Sequence, residues 1–280
     1  MILVGVIGIA LSSIFVRYSQ APSPVTAAWR MLWTVALMSP VALGKKSVRR
    51  EFAAMKPAQW ITSILSGLFL AAHFVLWFES LQHTSVASST TIVCTEVIWV
   101  ALGFCLFMKG RLSGKAVAAI AVTVIGSVLI AWADTGEGGL YGDLLALGGA
   151  VATAVYTLLG RTARKQLSTT AYTYVVYGAC TLVLLATCLL QGQSLAGYGY
   201  SAPVVGLLLA VFSTILGHSI FSWCLKYFSP AFVSASKLCE PVAAGIMAAI
   251  LFEELPGLFQ ILGSVLILAG VLYYATLEKK

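Results

Sequence analysis

Five ionisable side chains sit inside runs that are otherwise apolar: Arg30, Glu79, Glu96, Lys237 and Glu240. Carrying a charge to bilayer depth costs about 2.5–3.5 kcal/mol on insertion scales, so such groups mark solute paths, proton relays or buried pairs. Glu96 and Glu240 fall near the centres of their runs. A carboxylate there is suited to bind a cation or to exchange a proton with a passing solute. The same group also serves to cap the backbone of a broken helix. Lys237 lies three residues before Glu240, hence on one helix face with it, and is spaced to neutralise it. Arg30, between Trp29 and Trp33, suits a substrate carboxylate, and equally a helix-end carbonyl or a glutamate. Glu79 stands one turn before His83 at the end of its run, as a gate or an anchor. His73 and His218 fall mid-run, where an imidazole relays protons or bridges two helices by a hydrogen bond.

Aromatic side chains recur on runs expected to line a cavity: Trp29, Trp33, Trp77, Trp99, Tyr156, Tyr174, Tyr177 and Trp223. Such walls suit amphiphilic, aromatic or quaternary-ammonium solutes through stacking and cation–π contact. Trp60, Tyr198, Tyr200, Tyr227, Tyr273 and Tyr274 fit the alternative, an interfacial belt. Binding candidates are therefore Glu96, Glu240, Trp77, Trp99, His73, Tyr156, Tyr174, Trp223 and Arg30, with Glu79, Lys237 and His218 as coupling or gating candidates. No catalytic motif accompanies them. A P-loop, a His-Glu-x-x-His pair and an aspartate-rich magnesium site are all missing from the sequence, so neither a metal nor a cofactor is expected. The six cysteines form no Cys-x-x-Cys and lie in apolar stretches, where a thiol packs as a small hydrophobe.

The elements that must position these groups follow from composition. Of 280 residues, 60% are apolar and 10% charged, and the mean hydropathy is +0.95. An average soluble domain carries about 25% charged residues. This chain cannot cover a water-facing surface, which excludes a soluble enzyme, a secreted disulfide scaffold and a disordered chain. A transmembrane helix needs about 20 apolar residues. Ten spans are predicted: Met1–Val16, Pro24–Leu43, Trp60–Leu81, Val86–Met108, Ala116–Ala133, Leu140–Gly160, Thr170–Leu190, Val204–Lys226, Ala231–Phe252 and Gly257–Leu277. The first begins without a basic leader and reads as a helix, not a cleaved signal peptide. The fold class expected is an all-α integral membrane protein.

Charge fixes the orientation. Of the 17 Lys and Arg residues, all but Arg17, Arg30 and Lys237 fall in loops on one side, as in Lys45–Lys56, Lys109–Lys115 and Arg161–Lys165. Asp134, Glu137, Asp143, Glu253 and Glu254 fall on the other. By the positive-inside rule both termini are cytoplasmic. The net charge of +7 is thus an orientation signal, and no nucleic acid is expected as a partner.

The chain also repeats itself. At an offset of 144, Glu96 meets Glu240, Arg17 meets Arg161, Gly126 meets Gly270, and Ser85-Val86-Ala87 meets Ser229-Pro230-Ala231. Each half, 1–136 and 137–280, then holds five spans. An odd number inverts the second half relative to the first, an arrangement that places a central site at the bilayer midplane.

Ser85-Val86-Ala87-Ser88-Ser89 leading to Glu96, and Ser229-Pro230-Ala231 leading to Glu240-Pro241, resemble the EamA family of the drug/metabolite transporter superfamily. Phe252-Glu253-Glu254-Leu255-Pro256 and the Gly263–Gly270 stretch resemble its closing elements. The likeness spans both halves, with departures at Val97 and Gly110, where the second half has Pro241 and Glu254. It implies ten helices, an inverted five-helix repeat and secondary transport, and leaves the cargo open. The expected function is alternating-access transport of small organic metabolites or drug-like solutes, such as amino acids or amines, across a bacterial-type inner membrane. Membrane lipid, and protons as a coupling ion, are the partners this implies, in a monomer or homodimer. An intramembrane enzyme or lipid scramblase, and a non-transporting membrane subunit, are the alternatives.

Overall fold

A computed structural model of the chain describes all residues except 17, 85–88, 90, 91, 133–138, 241, 244, 245, 248, 249, 251–256 and 278–280. The positions Arg17, Ser85–Ser88, Asp134, Glu137, Pro241, Glu253 and Glu254, used above for orientation and resemblance, lie outside the described residues. Among the described residues the regular structure is entirely helical: α1 (Ile2–Val16), α2 (Ser23–Gly44), α3 (Lys46–Ala54), α4 (Pro57–His83), α5 (Glu96–Phe107), α6 (Gly114–Trp132), α7 (Leu140–Arg164), α8 (Thr169–Leu190), α9 (Ser201–Cys224), α10 (Pro230–Lys237) and α11 (Leu258–Leu277).

Local chemistry sets the starts. Pro57 opens α4, and Gln59 accepts the Lys56 N–H at 2.8 Å, one half of a capping box. Ser168 and Ser229 cap α8 and α10 by accepting from Ala171 and Phe232, each at 3.2 Å. Four helices, α4, α7, α8 and α9, are long and apolar enough to cross a membrane. The stretches Ile2–Val16, Ile92–Phe107, Gly114–Leu129 and Ile261–Leu277 are apolar but shorter. The short amphipathic α3 occupies the basic connection between the second and third predicted spans, where the spacing predicts a loop.

The outer surface is apolar, and polar side chains are buried alongside apolar ones. Leu106, Phe107, Leu182 and Leu189 are exposed, while Thr26, Ser63, Ser66 and Thr153 are buried. Large apolar groups face outward to lipid, and small or polar ones let backbones approach. At Gly67 of α4 an added Cβ would lie 2.4 Å from the Val176 carbonyl of α8, and at Gly8 of α1 it would lie 2.6 Å from that of Phe212 in α9.

Helices α4 and α9 begin at 57 and 201, and α6 and α11 at 114 and 258, both pairs 144 apart. The packing follows the same rule. Helix α4 lies along α7 and α8, whereas α9 lies along α1 and α2. Adding or subtracting 144 exchanges these contacts and returns the pairs α2–α8 and α6–α11 to themselves. Within α6–α11, Gly126 meets Gly263 and Gly270 meets Ala119, positions related by that same shift. Two apolar cores result, one around α2, α4 and α8, the other around α1, α6, α10 and α11.

Residues 209–218 of α9 form a π-helix, whereas the corresponding stretch of α4 is α-helical. In the wider register the Ser219 N–H bonds the Thr214 carbonyl, five residues back. Such segments concentrate at functional positions.

Candidate functional site

The two cores meet around a cavity of about 60 Å³ open to the centres of water molecules, room for a few waters or a small solute. Its walls come from α1, α2, α4, α5 with the residues before it, α7, α9, and α10 with the turn that follows. The lining repeats at the offset seen in the helices. Ile9 faces the cavity with Thr153, Phe74 with His218, Val93 with Lys237, Cys94 with Leu238, and Glu96 with Glu240. Each pair is separated by 144. The cavity thus sits where the two halves of the chain are related to one another.

Glu96 opens α5 and Lys237 closes α10, so the contact between those helices brings their side chains together. Lys237 Nζ donates to Glu96 Oε1 at 2.8 Å, with side chains 12% and 7% exposed. The sequence reading paired Lys237 with Glu240 on its own helix; the structure pairs it across helices with Glu96. An i,i+3 neighbour shares a face, but the ammonium reaches a carboxylate whose own helix packs against it. The Phe221 ring centroid lies 5.7 Å from the same ammonium, within cation–π range. Glu240 lines the cavity as well, within electrostatic reach of Lys237, Glu96 and Arg30.

Arg30 is fully buried in α2. Its Nε–H donates to Thr214 Oγ1 at 2.8 Å, its guanidinium carbon lies 4.4 Å from the Phe74 ring centroid, and it borders the cavity. The π register helps to aim Thr214, whose hydroxyl donates to the Leu209 carbonyl at 3.3 Å. Trp29 and Trp33 point away, donating to the carbonyls of Leu195 and Pro203 at 3.0 and 2.9 Å. They anchor the α8–α9 connection and the start of α9, contrary to the expectation of a cavity wall.

His73 and Trp77 are stacked, 6.0 Å between centroids and 7° between planes. Gly149 O lies 3.1 Å from His73 Nδ1; a carbonyl only accepts, so Nδ1 carries the hydrogen and Nε2 is the acceptor. That satisfies the bland expectation for His73, a helix–helix hydrogen bond. His218 departs from it. Its Nδ1 is buried without a partner among the described residues, as are Trp77 Nε1 and Ser234 Oγ. All three side chains line the cavity. A buried polar atom left unpaired costs about 1–3 kcal/mol, a cost a bound solute or water would remove.

The other candidates lie elsewhere. Tyr156 stands behind His218, at 6.1 Å between centroids, and its hydroxyl shares a 3.0 Å hydrogen bond with Ser222. Tyr174 bonds Ser39 at 3.0 Å and packs on Phe52 of α3, away from the cavity. Trp99 and Trp223 are 37% and 36% exposed on the outer surface, Trp223 against Tyr227. On helices that are apolar all round, periodicity does not distinguish a cavity face from a lipid face. Tyr274, expected in the belt, is instead buried against Phe232. Glu79 bonds His83 at 3.2 Å, both about 43–44% exposed at the end of α4.

Sequence reasoning missed Phe74, Thr153, Ser12 and Ser234. The offset held a signal for two of them: Phe74 is the counterpart of His218 and Ser12 that of Tyr156. It also placed Arg164 in a basic loop, whereas the structure buries it. Arg164 donates from Nε to the Ser222 carbonyl at 3.0 Å and from Nη1 to that of Leu167, while Arg161 donates to Leu225. These guanidiniums tie the end of α7 to the end of α9. Among the described residues no three His, Cys, Asp or Glu side chains converge as a metal site.

Comparison with known proteins agrees with this architecture. The chain is 23% identical over 250 residues to an uncharacterized transporter of Archaeoglobus fulgidus, covering 87% of this chain and 85% of that one. It is 24% identical over 219 residues to the uncharacterized transporter YxxF of Bacillus subtilis, covering 75% and 68%. The crystal structure of another protein superposes with a TM-score of 0.80 at 18% identity, over 99% of this chain and 95% of that one, a likeness of fold. The profile of the EamA-like transporter family matches residues 1–132 and again 140–276. Apolar helices, a paired architecture and that double match make this multi-pass membrane protein a member of the EamA-like transporter family.

Proposed function

We propose that the chain is a secondary carrier of a small organic solute, such as an amino acid, an amine or a related compound, working by alternating access. In this reading ten spans form two inverted five-helix halves, 1–136 and 137–280, with both termini on the cytoplasmic side of an inner membrane. The halves rock about the cavity, and no covalent step is involved. The observation that carries the reading is the five pairs of lining residues at one constant offset. A site shared by equivalent elements of two inverted halves opens to either side by exchanging their conformations.

Roles follow from chemistry. Arg30 receives a carboxylate or other acceptor, Trp77 and Phe74 stack on the solute, and His73 offers an acceptor nitrogen. His218 and Ser234 supply polar atoms that the solute satisfies. Glu96 and Glu240 are the groups through which a proton gradient would couple, and Glu79 with His83 marks an outer end. Tyr156 acts through His218.

The test begins with purified protein and a thermal-shift panel of amino acids, amines, nucleosides and quaternary ammonium compounds, because a ligand bound to the folded state raises its stability. The compound that raises Tm is then followed as a labelled solute into proteoliposomes. Saturable uptake that falls with Glu96→Gln and Glu240→Gln is expected. Uptake unchanged in both variants removes the glutamates from the mechanism, and a panel with neither ligand nor uptake overturns the carrier reading.

A further inference from the structure

The cavity departs from its own repeat at two charged positions, Arg30, whose counterpart is Tyr174, and Lys237. Glu96 and Glu240 are counterparts, but the partner of Lys237 across the repeat is Val93. One half therefore brings an ammonium to the cavity and the other brings an isopropyl group. The ammonium is held as a bound cation would be held. It makes a 2.8 Å charge-assisted bond to Glu96, faces the Phe221 ring at 5.7 Å, and is largely withdrawn from water.

Arg30 and Lys237 stand against Glu96 and Glu240, two basic and two acidic side chains in one lining. Trp77 Nε1, His218 Nδ1 and Ser234 Oγ are each at least nine-tenths buried and unpartnered. They mark the remaining space as a polar binding site and not a packing defect.

We propose that Lys237 is a tethered occupant of an alkylammonium subsite built by Glu96 and the Phe221 ring, and that it thereby narrows the cargo classes named above to solutes without net positive charge, amino acids and not free amines. The inference rests on the carrier reading for the word cargo, but the subsite itself is a binding claim. Truncating Lys237 to alanine removes Cγ, Cδ, Cε and Nζ, the atoms that n-propylammonium would restore. It also removes one of the two basic side chains of the lining.

The experiment uses purified full-length protein and n-propylammonium chloride, with 1-propanol as the uncharged control, read by thermal shift and isothermal titration calorimetry. Lys237→Ala is expected to bind the amine saturably, at least about tenfold tighter than the wild type, or about 1.4 kcal/mol. Adding Glu96→Gln to that variant removes the gain, and 1-propanol shows none. Should Lys237→Ala fail to fold, Lys237→Met keeps most of the side-chain volume and is titrated with methylammonium against the same Glu96→Gln background. Binding to the wild type as tight as to the variant overturns the proposal, as does binding indifferent to Glu96. These readouts involve no translocation, so the subsite stands or falls apart from the carrier reading.

Discussion

The Glu96–Lys237 pair makes a quantitative prediction through a double-mutant cycle. At 2.8 Å, and with an effective dielectric of about 20, two unit charges attract by about 6 kcal/mol. Desolvation of both groups cancels much of that attraction. Removing one partner is different, because it leaves a lone charge in a largely buried place, at about 3–5 kcal/mol for a buried pair. Here the cavity admits water to the remaining group, which reduces the expected cost to about 2–3 kcal/mol for Lys237→Met or Glu96→Gln alone. The double variant carries no lone charge. It should therefore be more stable than the sum of the singles implies, with a coupling of about 2 kcal/mol. Thermal unfolding of detergent-solubilised protein, followed by intrinsic fluorescence, reads this directly. Each single variant should melt about 5–10 °C below the wild type, at about 2–4 °C per kcal/mol, and the double closer to the wild type than either. Single effects that add to within about 0.5 kcal/mol would refute the pairing.

Further predictions concern packing and the cavity wall. Gly67→Ala drives a Cβ against the Val176 carbonyl and should cost about 1–3 kcal/mol. Gly178→Ala, with nothing within 4 Å, should gain up to about 1 kcal/mol from helix propensity; a higher Tm for Gly67→Ala than for Gly178→Ala would sink the argument. Arg164→Met leaves the Ser222 and Leu167 carbonyls without their donor and should lower stability by about 2–3 kcal/mol in the same melts. Trp77→Ala should abolish the ligand-induced Tm rise, whereas Trp99→Ala and Trp223→Ala leave it intact, because only Trp77 touches the cavity.

What the sequence revealed depended on whether one residue or a pair held the information. The apolar blocks were legible because lipid demands long stretches, and α4 and α8 begin within three residues of the predicted spans. Arg30, Glu96, Lys237, Glu240, His73, Trp77 and His218 were legible as cavity groups because polar or aromatic chemistry at depth is costly or distinctive. Facing was not legible: Trp99 and Trp223 share their helices with lining residues or flank them, yet lie at the surface. Partnership was not legible either, since Lys237 is three residues from Glu240 but bonds Glu96, 141 positions away. The π register of 209–218 has no compositional mark, and Thr214 gains its role with Arg30 only through it. Arg164 read as a loop charge because its two carbonyl partners come together only when α7 packs beside the end of α9.

The mismatch of Val93 and Lys237 bears on how such a protein rests. Were the two halves identical, swapping their conformations would yield the same molecule turned over about a two-fold axis in the membrane plane, and an unloaded carrier would spend equal time facing either compartment. A cation present in one half and not in the other abolishes that degeneracy, since the environments it meets before and after the swap are no longer the same. Each 1.4 kcal/mol of difference tilts the idle population about tenfold. Under the proposed alternating-access reading, the direction in which the protein waits for its solute then depends on the cations that only one half carries, Lys237 opposite Val93 and Arg30 opposite Tyr174.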